Sequence, residues 1–101
     1  MDKNHQIRLD HISTHLENAC KEILFSDEPL TTRVQVATVD LETLHPDDFN
    51  DVPSWLKSDI ERMASLVGDQ VSQDDAVSFA SNLLNTYVKT EVLRTQNGVK
   101  N

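Results

Sequence analysis

The chain predicts an all-α, single-domain, antiparallel four-helix bundle, and three observations carry that expectation. Apolar residues recur at alternating steps of three and four in four separate stretches. Residues at that spacing stack along one side of an α-helix, so each stretch reads as a helix with one buried stripe. The stretches are separated by short breaks holding proline or glycine, and 101 residues leave room for one core and no second.

The first stripe is Leu9, Ile12, Leu16, Ala19 and Ile23, predicting a helix over about 6–25 with Asp2, Asn4 and Asp10 as alternative caps. Ser26, Asp27, Glu28 and Pro29 end it, because proline cannot continue the hydrogen-bond ladder and disfavours helix in the residue before it. The second segment, 30–44, is ambiguous. Thr31, Thr32, Val34, Val36, Thr38 and Val39 are β-branched and favour strand, whereas Leu30, Val34, Ala37, Leu41 and Leu44 keep helical register throughout. Period favours helix; a strand pair here would make the fold α+β instead. His45 to Pro53 form an acidic connector in which Asn50 or Asp51 can cap a third helix over 53–67 with Pro53 in its first turn. Leu56, Ile60, Met63 and Val67 are its stripe, and Gly68 is expected to end it in the left-handed conformation. Ser72, Gln73, Asp74 and Asp75 have the form of a capping box opening a fourth helix over 73–94, striped by Ala76, Ala80, Leu83 and Tyr87. Residues 95–101 read as a frayed tail.

The charge balance is 9 Lys and Arg against 17 Asp and Glu, a net of −8. A field of that sign repels nucleic acid and anionic membrane, so neither is expected as a direct partner. The first ten residues are charged where a signal peptide needs an apolar run, and no stretch approaches the roughly 20 apolar residues of a membrane span. The single cysteine, Cys20, has no intramolecular partner and lies at the edge of the first stripe without a cationic cluster to activate it. A small buried hydrophobe in a reducing cytoplasm is the expected role.

Few residues have the spacing of chemistry. His11 and His15, four apart on a predicted helix, form a weak candidate metal pair, yet Ile12 occupies the place of the metalloprotease glutamate and no third ligand is near in sequence. Histidine phosphotransfer domains share the helix count only: Glu17, two residues after His15, would repel a phosphate. Two glycines cannot build a phosphate-binding loop, and the Asp-rich connector lacks the glycine of a calcium loop. No cofactor is therefore expected, and no nucleophile is paired with a base. The feature that points to a partner is an apolar surplus on the fourth helix. Val77, Leu84 and Val88 form a second stripe, with Phe79, Val92 and Leu93 adding to it. A helix that wide in its apolar face is either central to the bundle or packed on a second subunit. Trp55 is either a lid over the core or an interface anchor.

The layout resembles a group of small helical bacterial proteins of unassigned function, in which an amphipathic helix and a short break lead to a second helix and an acidic connector. Here that connector is His45 to Phe49 followed by Val52 and Pro53. The resemblance covers most of 12–94, implies helix over 30–44, and brings no catalytic residues. The expected function is a non-catalytic, cytoplasmic protein-interaction or regulatory module, homodimeric through helix four, with Val77, Leu84, Val88, Val92 and Trp55 as the interface residues. An acidic inhibitor that imitates nucleic acid on a basic protein is the alternative. A metal enzyme built on His11, His15 and a distant residue such as His45 is a third class.

Overall fold

Each apolar stretch is helical in the computed structural model, which describes residues 3–68 and 70–99 and the side chains of 6–68 and 70–96. The candidate cap Asp2, the acidic Asp69 and the last two residues of the expected tail lie outside the described residues. The helices are α1 (Lys3–Phe25), α2 (Leu30–Glu42), α3 (Ser54–Ser65) and α4 (Gln73–Val99), with a short 3-10 helix at Pro46–Phe49. No strand occurs among the described residues.

One core takes side chains from all four helices. Leu9, Ile12 and Leu16 meet Val34 and Ala37 of α2, Leu56 and Met63 of α3, and Ala76, Phe79 and Leu83 of α4, all fully or almost fully buried. The backbone of α1 runs close to α2 and α4 and not to α3 among the described residues, while α3 lies mainly against α4. Phe79 belongs to this core and not to the apolar surplus, and Leu93 packs partly against it. The reason is positional: Phe79 falls three residues after Ala76 and four before Leu83, in line with both.

Period wins over propensity in α2. Val34, Ala37, Thr38 and Leu41 face inward, and the stranded β-branched residues Val36 and Val39 stay on the solvent side. Thr38, buried in the core, removes its polar liability locally: its hydroxyl donates to the Val34 carbonyl at 2.9 Å. Thr90 of α4 does the same to the Thr86 carbonyl at 2.7 Å. Bonding back to the preceding turn is how a helix tolerates buried threonine.

The helix ends hold the clearest departures from expectation. Ser72 caps α4 as its sequence indicates, accepting from the Asp75 amide at 3.1 Å. Helix α3 begins at Ser54 with Pro53 in the capping position, whose carbonyl accepts from the Leu56 amide at 3.1 Å. Neither Asn50 nor Asp51 caps it. Asp51 instead turns the chain with a φ of 65°, a left-handed conformation that Asp tolerates better than most residues. Gly68 is not left-handed, because α3 has already stopped at Ser65 in tight i to i+3 bonds, Leu66 to Met63 at 3.0 Å and Val67 to Ala64 at 3.2 Å. Helix α4 continues past Arg94 to Val99, where fraying is expected. No proline interrupts that last turn, and Gly98 costs only about 1 kcal/mol there.

Side-chain tethers set the relative height of the helices. Arg33 donates to the Ile23 carbonyl, the Nδ1–H of His15 donates to the Asp40 carbonyl at 3.0 Å, and Arg8 donates to the Asp47 carbonyl. Ser13 donates to the Glu91 carboxylate and Arg94 reaches Asp10 at 3.2 Å. On the other flank of α4, Lys89 pairs with Asp59 of α3 at 2.8 Å. No helix among the described residues is long and apolar enough to cross a membrane.

Candidate functional site

Steps of seven, four and four residues put Val77, Leu84, Val88 and Val92 along one side of α4. That side faces water: the four side chains are 49%, 40%, 58% and 52% exposed. Branched aliphatic residues repeated over four turns of one helix form a contiguous patch, unlike the scattered apolar residues normal on a surface. Tyr87, Val88, Glu91, Val92, Thr95 and Gln96 bound a shallow, mostly apolar depression at its C-terminal half.

The N-terminal three-quarters of the patch is also free of charge. From Ala76 to Val88 there is no ionisable acid or base other than the Tyr87 phenol, in a chain where 26% of residues are charged. Its uncharged neighbours are Ser78, Ser81 and Asn85. An apolar centre with a small polar border is the composition of an interface core and its rim.

Helix α1 widens this face. The pairs Ser13 with Glu91 and Asp10 with Arg94 fix the passing height of α1 on α4. The same register, continued along α1, sets Glu17 near Tyr87, with Leu24 two turns further along α1. Leu24 is largely exposed. Sequence reasoning passes it over because it follows the last stripe residue, Ile23; an apolar residue one position off the stripe is the same signal that marks the surplus on α4. Burial, together with the Glu91 and Glu17 carboxylates, holds the Tyr87 phenol above its ordinary pKa. Glu91 is shifted the other way: hydrogen bonds from Arg94 and Ser13 outweigh its burial and hold its carboxyl below the usual range. Hydrogen bonds to Glu91 and Asp10 in turn raise the Arg94 guanidinium. The patch thus ends at a rigid ionic clasp between α1 and α4.

Trp55 lies on α3 and not on the helix that carries the stripe. It packs against the core from α3, with the Lys89 ammonium 4.7 Å from its ring centroid. Lys89 follows Val88 on α4 and pairs with Asp59 of α3, so the cation that covers Trp55 lies on the α3 flank of α4.

Of the sequence's candidate histidines, His11 and His15 come together and His45 does not. His11 and His15 rings meet edge to face at 4.7 Å between centroids, and His11 Nε2 lies 3.4 Å from Asp48. His45 turns away to cap the 3-10 helix, its Nδ1 accepting from the Asp47 amide at 3.1 Å while Asp48 accepts from the His45 amide at 2.8 Å. No group of three or more His, Cys, Asp or Glu could hold a metal among the described residues. Cys20 is buried, and burial with the nearby Glu17 carboxylate pushes its thiol up to about 11. It is packed as a small hydrophobe, the opposite of an activated nucleophile.

Compared with known protein families, with curated proteins and with solved structures, the chain matches none.

Proposed function

We propose that this protein is a non-catalytic interaction module that associates with a second copy of itself through the exposed face of α4. The observation that carries the reading is the alignment of Val77, Leu84, Val88 and Val92 in water, the first three of them on a stretch, 76–88, without a single Asp, Glu, Lys, Arg or His. The partner is a second copy because a net charge of −8 makes most of the surface self-repelling, and this face is where two copies approach with little electrostatic cost. A stripe on one helix is also self-complementary about a two-fold axis, the commonest symmetry of soluble oligomers.

The architecture that suits this role is an antiparallel four-helix bundle. Contacts that run back from the 3-10 helix down α2 as they ascend α1, from Arg8 with Asp47 through His15 with Asp40 to Ile23 with Arg33, support that topology. A cytoplasmic setting accords with an unpaired, buried Cys20. Sedimentation equilibrium over a wide concentration range tests the reading. A monomer–dimer equilibrium that tightens with added salt, as like charges are screened, is the expected result. A strict monomer at the highest concentrations would reject it.

A further inference from the structure

We infer that a cleft between α2, the 3-10 helix and α3 binds a small amphipathic cation, an aromatic ring system of one or two fused rings bearing an ammonium group. The inference is independent of self-association through α4. The cleft encloses about 240 Å³. Its floor is Leu41, Leu44 and Ile60, and Phe49 forms one wall. The three floor residues are themselves buried, so the opening reaches down to the core and is not a dimple in the surface.

The cleft exists because of the connector. Helices α2 and α3 touch only lightly, and the residues between them fold into the capped 3-10 helix, which wedges Pro46 and Phe49 across one end of the gap. An apolar cavity of roughly 150 Å³ takes one benzene ring, so this volume suits a single ring or a fused pair.

Its rim selects the charge of the occupant. Glu42 and Glu61 border the opening, exposed and without a hydrogen-bond or ion-pair partner among the described residues. Lys57 is the one cation on the rim and is likewise unpaired among the described residues. Two free carboxylates against one ammonium leave the mouth negative, within a chain that is itself strongly acidic. An apolar floor with a few polar groups at the mouth is the usual composition of a small-molecule site.

The test is a titration of the full chain with tryptamine, a cation at neutral pH, and with indole-3-acetate, its anionic counterpart, followed by two-dimensional amide NMR. Saturable shifts for tryptamine centred on Leu41, Leu44, Ile60 and Ala64, with indole-3-acetate at least about fivefold weaker, are expected. In the E42Q/E61Q double variant, whose changes lie at exposed positions, the preference for the cation should vanish while the apoprotein spectrum elsewhere stays the same. Ala64→Phe should fill the cleft and abolish both responses. The inference is overturned if the two probes bind equally in the unaltered chain, if neither saturates, or if the shifts fall on Val77, Leu84 and Val88 instead.

Discussion

Replacing Val88 by Asp separates the exposed face of α4 from the core beneath it. Val88 is 58% exposed, so less than half of its side chain is packed within one chain, and the loss of that burial is worth about 1 kcal/mol or less. Asp and Val have similar helix propensity, and a like-charge contact with Glu91 three residues on adds a few tenths of a kcal/mol. In a two-fold dimer the same change appears twice. Each unpaired carboxylate moved from water into an apolar contact costs on the order of 2 kcal/mol, so the pair costs about 4 kcal/mol and weakens association roughly a thousandfold. Val39→Asp is a matched control: Val39 is 60% exposed, lies on α2, and also has an acid, Glu42, three residues on. Leu84→Asp is a less clean choice, because more than half of Leu84 is packed within the chain. The assay is sedimentation equilibrium for association beside thermal unfolding for stability. V88D should become monomeric with a melting temperature close to that of V39D, which should still dimerise. Equal weakening by both variants would show that added negative charge, and not the apolar face, controls association, and the reasoning would fail.

Three other outcomes follow from the interior. Phe79→Ala should lower stability by about 3–5 kcal/mol in chemical denaturation, since Phe79 is fully buried between stripe neighbours; a loss below about 1 kcal/mol would contradict its place in the core. Cys20, buried and with its thiol pushed up to about 11, should react with a thiol reagent at pH 8 only as fast as the chain unfolds, and at the rate of free cysteine once denatured. Glu91 has a folded pKa below its unfolded one, so its contribution is present above the ordinary carboxylate range and is lost as pH falls through the depressed value. Melting curves from about pH 6 to pH 3 should therefore fall more steeply for the native chain than for Glu91→Gln, and parallel curves would count against the clasp.

Within the chain, the residues that were legible are those whose role depends on spacing. The stripe from Leu9 to Ile23, the run of Leu56, Ile60 and Met63, and the Ser72 cap all depend on neighbours within one turn, and all stand where sequence places them. Val77, Leu84, Val88 and Val92 are likewise exposed together because one helix sets their common side. What spacing leaves open is anything decided between helices. It cannot say that Phe79 faces the core while Val77 faces water, since both belong to a wide apolar arc and the positions of the other three helices divide it.

The sequence by itself determined three amphipathic helices, a fourth segment with helical period against strand propensity, and a net charge of −8, because each of these is a property of composition or of one helical turn. Only the tertiary structure decided which apolar side of α4 remains in water, that Trp55 packs against the core under Lys89, and that the connector props open a cleft against Leu41 and Ile60. The physical reason is that exposure belongs to no residue alone: it is set by what packs across from it, and that depends on how far each helix is slid and turned against the next.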